Sequence, residues 1–156
     1  ESYKKFVNFC LKYISELELP KKRGTFIELR RGMVNISPIG RNCTKEEREE
    51  FYEFDKKNKI RENMVKVLKR EFSSVPLDYA IGGQISIDVF PKGMNKTYCL
   101  KLIKKERYEK IYFFGNKTFE GGNDYELFNH PDVIGYSVKN PEDTIKFLNE
   151  IIKKFK

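Results

Sequence analysis

The spacing of hydrophobic residues in the first part of the chain alternates between the period of a helix and that of a strand. Residues 2–18 carry apolar side chains at helical spacing, which predicts an amphipathic helix that ends before Pro20. Four strand-like runs follow in two pairs, and a glycine turn interrupts each pair, at Gly32 and at Gly82, which predicts two β-hairpins. The four runs are residues 25–30, 33–37, 77–81 and 84–90.

Two more helices are predicted between the hairpins. Thr44 is followed three positions later by Glu47, the pattern of a capping box, so a helix is expected from there towards Phe54. A second helix follows, because apolar residues between Ile60 and Phe72 recur on one helical face. Together these elements predict an α+β layer, in which an antiparallel sheet packs against helices.

Beyond residue 94 the pattern becomes an alternation of helices and strands, which is typical of an α/β layer with parallel strands. The predicted elements are a helix at 96–104, a strand at 111–114, a glycine-rich loop at 115–122, a short helix, a strand at 133–138 and a helix at 141–155 capped by Asn140. Buried parallel strands need helices on both faces, and two strands are too few for an independent sheet. We therefore expect residues 1–94 to form one domain and residues 95–156 to be part of a larger α/β domain whose first half precedes this chain.

Composition and charge restrict the partners. The formal net charge is +8, but Lys and Arg are interspersed with Glu and Asp, which favours a solvated surface over a nucleic-acid-binding face. No apolar run reaches the roughly 20 residues that a membrane-spanning helix needs. Cys10, Cys43 and Cys99 are odd in number and widely spaced, so free thiols in a reducing compartment are expected. We expect neither a nucleic acid nor a membrane as partner.

Three arginines are candidates for a phosphate site. Arg30 and Arg41 lie at the ends of predicted strands, and Arg48 lies in the first turns of the capped helix. Guanidinium groups that converge beside a helix N-terminus offer planar sets of N–H donors to a phosphate. The alternative, which spacing alone favours, is that they face solvent or pair with acidic residues of that helix, Glu46, Glu47 and Glu50.

The run that begins at residue 84 has polar side chains at every second position. Gln84, Ser86 and Asp88 therefore share one face of the predicted strand, and apolar residues occupy the other face. The polar face is either the wet side of a half-buried strand or the lining of a sugar-phosphate cleft. Lys96, close behind this run, could neutralise a phosphorylated carboxylate, or could be one more surface lysine.

A buried strand then runs into a glycine-flanked loop that carries Asn116 and Asp124. Hard oxygen ligands at the carboxyl end of such a strand suit Mg²⁺. The alternative is an ordinary Gly-Asn-Asp turn before a helix that Asp124 caps. His130 is the only histidine, and neither a zinc-binding spacing nor a Ser-His or Cys-His pair is present.

Five segments, taken in collinear order, resemble the eukaryotic-type phosphomannomutases of the haloacid-dehalogenase superfamily. They are residues 19–28, 32–41, 46–51, 82–91 and 113–124. The resemblance implies that residues 1–94 are the α+β cap domain, which binds substrate and dimerises. It also implies that residues 95–156 are the C-terminal segment of the Rossmann-like core.

The activity that the resemblance implies is the interconversion of mannose 6-phosphate and mannose 1-phosphate, for GDP-mannose synthesis. The reaction proceeds through a phosphoaspartate, with Mg²⁺ as cofactor and a hexose 1,6-bisphosphate as activator. A cytoplasmic homodimer, joined through the cap, is the expected form.

The resemblance also implies specific roles for the candidate residues. Those expected to bind the hexose phosphate are Arg30, Arg41, Arg48, Ser86 and Asp88, with Gln84 on the same face. Lys96 matches the lysine that stabilises the phosphoaspartate. The metal-binding set comprises Asn116, Asp124 and, for a second cation held through backbone carbonyls, Phe128, His130 and Val133.

Two departures from the family pattern qualify these expectations. No Asp-x-Asp motif occurs in these residues, so the chain alone lacks nucleophile and acid/base and is predicted to be inactive. Met94 and Asn95 stand where the family usually has Trp and Asp, which questions the role of that acid. The alternatives are a haloacid-dehalogenase-type sugar phosphatase and a non-catalytic module for dimerisation or nucleic-acid binding.

Overall fold

A computed structural model describes residues 2–103 and 107–155. The chain divides into two compact units, Glu1–Gly93 and Met94–Lys156. The boundary expected from the sequence lies one residue further on. Among the described residues no helix is both long and apolar enough to cross a membrane.

The first unit is a four-stranded antiparallel sheet with three helices, as the sequence predicts. Its elements are α1 (Ser2–Glu16), β1 (Ile27–Arg30), β2 (Met33–Ile36), α2 (Lys45–Asn58), α3 (Ile60–Glu71), β3 (Leu77–Gly82) and β4 (Ser86–Pro91). The strand order is β1-β2-β4-β3, so the two predicted hairpins are confirmed and pair with each other through β2 and β4.

The register of the sheet separates an apolar face from a polar face. Ile36 lies opposite Ile27 on one side and Ile87 on the other, and helices α1 and α3 cover this face with their apolar residues. The buried residues of this core are Phe6, Cys10, Ile14, Ile36, Met64, Leu68, Tyr79, Ile87 and Val89. One position along each strand, Glu28, Asn35 and Asp88 are aligned across the sheet on the opposite face.

Arg61 on α3 fixes the turn between β3 and β4. It is 3% exposed, and its Nε donates to Asp55 Oδ2 at 2.8 Å. Its Nη1 donates to the carbonyl oxygens of Gly82 at 3.0 Å and Ser86 at 3.2 Å. These buried contacts join α3 to both ends of the β3–β4 turn, and their loss would deprive Asp55 Oδ2 and the Ser86 carbonyl oxygen of the guanidinium donor that each accepts from.

The predicted capping box starts α2. The Thr44 hydroxyl accepts from the Glu47 backbone N–H at 3.3 Å, and the Glu47 carboxylate accepts from the Thr44 backbone N–H at 3.0 Å. Glu47 also accepts from Arg23 Nε at 3.1 Å and lies 3.3 Å from Lys21 Nζ. The cap is therefore tied to the segment that precedes β1.

The second unit is a two-stranded parallel sheet with short helices. Its elements are a 3₁₀ helix (Lys96–Lys101), β5 (Tyr112–Gly115), α4 (Tyr125–Phe128), β6 (Ile134–Ser137) and α5 (Pro141–Lys153). The helix predicted over 96–104 is a 3₁₀ helix that ends at Lys101, and residue 104 lies outside the described residues. Asn140 caps α5 as predicted, because its Oδ1 accepts from the Asp143 backbone N–H at 2.9 Å.

Glu47 makes the stability of the first unit dependent on pH. The hydrogen bond from Arg23, followed by that from the Thr44 backbone, lowers the pKa of Glu47 from 4.5 to about 2. A carboxyl group whose pKa is lower in the folded state stabilises the fold at pH values above its pKa in the unfolded state. This stabilisation is lost as the pH falls through the pKa of the folded state. We expect the free energy of unfolding of the wild-type protein to exceed that of the Glu47→Gln variant at pH 6. The difference between the two should shrink as the pH falls from 4.5 to 2.

Urea unfolding at several pH values measures this difference. Glu53→Gln is the matched control, because Glu53 is an exposed residue of the same helix. A difference between wild type and Glu47→Gln that is the same at pH 6 and pH 2 would contradict the assignment.

Candidate functional site

Asn35 is the centre of a hydrogen-bonded network on the polar face of the first unit. It is 2% exposed, and its Nδ2 donates to Asp88 Oδ1 at 2.7 Å. Its Oδ1 accepts from Arg41 Nη1 at 2.8 Å. A single amide thus bridges a cation and an anion that come from different segments of the chain.

Glu28 extends the network to the second arginine. Arg30 Nε donates to Glu28 Oε2 at 2.6 Å, and Arg41 Nε lies 3.2 Å from the same oxygen. The side chains of Arg30 and Arg41 are 39% and 30% exposed, so both guanidinium groups remain accessible to a ligand. The alternative that pairs these two arginines with acidic residues of α2 is wrong, since their partner is Glu28.

Ser86 and Asp88 lie two positions apart on the same face of β4, and both side chains pack over Gly82, which has no side chain. A Cβ at Gly82 would lie 2.7 Å from Asp88 Oδ2 and 3.4 Å from Ser86 Oγ. The Ser86 hydroxyl donates to the Gly82 carbonyl oxygen at 3.1 Å. The predicted strand from residue 84 is wrong at its start, because β4 begins at Ser86 and Gln84 lies in the preceding turn.

Arg48 is not joined to the other two arginines by any contact within the described residues. It lies at the start of α2, and its side chain forms no hydrogen bond or ion pair in the part of the chain that the structure describes. Its neighbour Glu47 is occupied by Arg23 and Lys21. Of the three predicted phosphate ligands, the structure brings together Arg30 and Arg41.

In the second unit, Asp124 closes the loop that follows β5. It is 3% exposed, and its Oδ2 accepts from the backbone N–H groups of Asn116 at 3.0 Å and Lys117 at 2.9 Å. Its Oδ1 accepts from Lys96 Nζ at 2.5 Å. A Cβ at Gly115 would lie 2.8 Å from Asp124 Cγ, so the carboxylate packs directly on the end of the strand.

The two residues of the predicted magnesium site differ in their contacts. Both oxygens of Asp124 accept hydrogen bonds within the unit, and its supporting role at a metal stays a prediction. The side chain of Asn116 is exposed at the cleft that Lys96 and Asp124 also line, and its amide oxygen is a ligand of the hard type that Mg²⁺ prefers. Among the described residues no group of three or more His, Cys, Asp or Glu side chains could hold a metal ion.

The proposed second cation site follows α4. The His130 carbonyl oxygen accepts from the Val133 backbone N–H at 3.0 Å, and His130 Nδ1 accepts from the Asp132 N–H at 3.2 Å. The Phe128 carbonyl oxygen faces β6, since it lies 2.5 Å from where a Cβ at Gly135 would be. Of the three predicted carbonyl ligands, that of His130 therefore accepts a hydrogen bond from its own turn, and the cation role stays a prediction.

Comparison with known proteins identifies the family. The family model for eukaryotic phosphomannomutase matches residues 1–154. The phosphomannomutase of Encephalitozoon cuniculi is 58% identical over 154 residues, which cover 99% of this chain and 60% of the relative. That of Schizosaccharomyces pombe is 59% identical over 151 residues, which cover 97% of this chain and 59% of the relative. The chain belongs to the eukaryotic phosphomannomutase family.

Two solved structures are similar to this chain in fold, at much lower sequence identity than the phosphomannomutases. An IMP-bound mutant of Plasmodium falciparum IMP-nucleotidase has a TM-score of 0.54 at 20% identity, covering 96% of this chain and 38% of that chain. N-terminally truncated Plasmodium falciparum IMP-nucleotidase has a TM-score of 0.53, also at 20% identity, and the match covers 96% of this chain and 39% of that chain. At this identity the likeness concerns the fold alone.

Asn95, where phosphomannomutases usually have Asp, acts as a helix cap. Its Oδ1 accepts from the Thr97 backbone N–H at 3.0 Å and from the Thr97 hydroxyl at 2.5 Å. An amide oxygen accepts these bonds as a carboxylate oxygen does, so the 3₁₀ helix that carries Lys96 still has its N-cap. The departure from the phosphomannomutase pattern removes a charge and keeps the cap.

Two residues of the network were missed from the sequence. Glu28 and Asn35 lie within segments that resemble phosphomannomutases, yet neither was assigned a role. A signal was available for both. Glu28 lies two positions before Arg30 and so on the same face of β1, and Asn35 is the polar residue of β2 that pairs with Glu28 on one side and Asp88 on the other. Pairing the strands in register would have placed them together on the polar face.

Removal of the Asp124 carboxylate should loosen the loop at the end of β5. We expect the Asn116 and Lys117 amides in Asp124→Ala to exchange hydrogen about 10- to 100-fold faster, because two N–H groups lose their acceptor. Hydrogen exchange followed by NMR measures this directly. In the control, Asp132→Ala, both amides should exchange as in wild type, and unchanged exchange in Asp124→Ala would contradict the assignment.

Proposed function

We propose that this protein interconverts mannose 6-phosphate and mannose 1-phosphate as a phosphomannomutase. The observation that carries the proposal is the pair of guanidinium groups that Glu28 holds and Asn35 joins to the Asp88 carboxylate, in a chain 53–59% identical to relatives with that name. The chain spans about 60% of the length of the curated relatives it matches. The activity of the whole protein is therefore a proposal.

The first unit is proposed to be the cap domain that binds the hexose phosphate. The exposed N–H groups of Arg30 and Arg41 would bind the phosphate that is not transferred, because guanidinium donors match phosphate oxygens in geometry and charge. Ser86 and Asp88 would bind sugar hydroxyls. Arg48 and Gln84 are proposed to complete the site from α2 and from the β3–β4 turn.

The second unit is proposed to be part of a haloacid-dehalogenase-like core. Lys96, held by Asp124, would neutralise the phosphorylated carboxylate. When bound, Mg²⁺ would neutralise charge on the transferred phosphoryl group, with Asn116 as its ligand and Asp124 in support. The proposed second cation would be held by Phe128, His130 and Val133.

Several groups that the reaction needs are proposed to come from elsewhere. No Asp-x-Asp motif occurs in the 156 residues, so we propose that they turn over no substrate by themselves. Apolar side chains on α5 are exposed, Ile145 at 59% and Ile152 at 51%, and support a larger sheet whose further elements cover them. A hexose 1,6-bisphosphate is proposed as activator.

The proposed assembly is a cytoplasmic homodimer joined through the cap. The edge strand β1 carries Leu29, which is 67% exposed and lines an apolar groove with Tyr3 and Met33. Such a surface supports association of two cap domains. Three cysteines without a disulfide support a reducing compartment.

The reaction distinguishes the proposal from a sugar phosphatase. With the full-length polypeptide, Mg²⁺ and a hexose 1,6-bisphosphate, ³¹P NMR should show mannose 1-phosphate converting to mannose 6-phosphate. Release of inorganic phosphate in step with substrate loss would instead identify a phosphatase. The nucleic-acid-binding alternative is not favoured by the comparisons.

Substitution of Arg41 tests the proposed phosphate site. We expect Arg41→Ala to raise the KM for mannose 1-phosphate about 10- to 100-fold, because a charge-assisted hydrogen bond is lost. Arg31→Ala is the matched control, since Arg31 lies exposed in the β1–β2 turn. Equal KM values for the two variants would exclude Arg41 from the site.

A further inference from the structure

The carboxylate of Glu28 lies between two cations proposed to bind phosphate. Its Oε2 accepts from Arg30 Nε at 2.6 Å and lies 2.5 Å from Arg30 Nη2. The same oxygen lies 3.2 Å from Arg41 Nε. One carboxylate oxygen therefore holds both guanidinium groups, although Arg30 comes from β1 and Arg41 from the loop after β2.

Simple electrostatics predicts that this carboxylate harms the binding of an anion. The formal charges of the two arginines are balanced by those of Glu28 and Asp88, so the group has no net positive charge. A carboxylate beside a phosphate site repels the phosphate. The carboxylate of Glu28 must therefore favour phosphate binding in another way, and its contacts with the two arginines indicate how.

The contacts with Glu28 leave donors on both arginines. A guanidinium carries five N–H donors, and Arg30 directs two of them at Glu28, so three remain. Arg41 uses one on Asn35 and points Nε towards Glu28, so three remain there also. A long, half-exposed arginine loses side-chain entropy when it binds a ligand, and a residue that fixes it beforehand reduces that cost.

We propose that Glu28 is a positioning residue that holds the guanidinium groups of Arg30 and Arg41 ready for a sugar phosphate. Asn35 extends this arrangement to Asp88. Its buried amide has a fixed orientation, because a flipped amide would direct its N–H groups at Arg41 and its oxygen at the carboxylate. The ligand in this inference rests on the proposed function, whereas the positioning itself does not.

The test compares Glu28→Ala with Glu28→Gln in the full-length polypeptide. Isothermal titration with mannose 1-phosphate, and separately with inorganic phosphate, measures affinity. We expect Glu28→Ala to bind both ligands about tenfold more weakly, because ordering of both arginines is lost. Glu28→Gln keeps an acceptor oxygen and lacks the charge, so it should bind within about threefold of wild type.

A double-mutant cycle separates positioning from a general effect on folding. In an Arg30→Ala background, Glu28→Ala should have a smaller effect on affinity, because one of the groups it positions is absent. Glu53→Ala is the control, because it removes one negative charge from an exposed position, and it should leave affinity unchanged. Tighter or equal binding by Glu28→Ala, or full additivity with Arg30→Ala, would overturn the inference.

A measurement without ligand keeps this inference separate from the proposed function. Side-chain ¹H–¹⁵N spectra should show a slowly exchanging Nε–H of Arg30 in wild type and lose it in Glu28→Ala. If wild type binds inorganic phosphate but not mannose 1-phosphate, the proposed substrate fails and the positioning stands. If neither ligand binds, the spectra decide, and a signal that persists in Glu28→Ala refutes the positioning.

Discussion

The register between β2 and its two neighbours is the constraint on which the first unit depends. It aligns Glu28, Asn35 and Asp88 across three strands and places Ile36 among core residues on the opposite face. Because side chains alternate along a strand, a slip of one residue would turn the polar set into the core and expose the apolar set. The same pairing therefore produces both the hydrophobic core and the candidate substrate face.

A buried charged side chain with several partners occurs in both units. Asp124 satisfies two backbone N–H groups and Lys96, and Arg61 satisfies a carboxylate and two carbonyl oxygens. Arg61 and Asp124 are each 3% exposed, so their contacts with buried groups are strengthened by the low local dielectric. In each case one side chain fixes several backbone groups of a loop at once.

Local patterns predicted the elements well, since hydrophobic spacing and caps act over a few residues. The capping box at Thr44 and the Asn140 cap are instances in which the chemistry lies within three positions. Long-range partners could not be assigned in this way. Arg61 has the surroundings of a surface residue in the sequence, and its burial follows only from how α3 meets the β3–β4 turn.

The polar face illustrates the same limit. Spacing alone favoured arginines that face solvent or pair with acidic residues of α2, whereas the structure pairs the partly exposed Arg30 and Arg41 with Glu28. Gln84 followed the alternation of a strand, but the tight turn after Gly82 delays the strand until Ser86. Sequence periodicity identifies a face, and the pairing of strands decides which residues meet on it.

The contact between Asn35 and Asp88 joins residues 53 positions apart, whereas each hairpin closes within a few residues. The entropy of loop closure rises with the length of chain enclosed, so this pairing is the most expensive in the sheet to form. Each hairpin can form before β2 pairs with β4, but the network that joins the two arginines to both Glu28 and Asp88 cannot. The candidate binding network of this unit therefore depends on the complete sheet, and a partly folded chain could retain both hairpins without it.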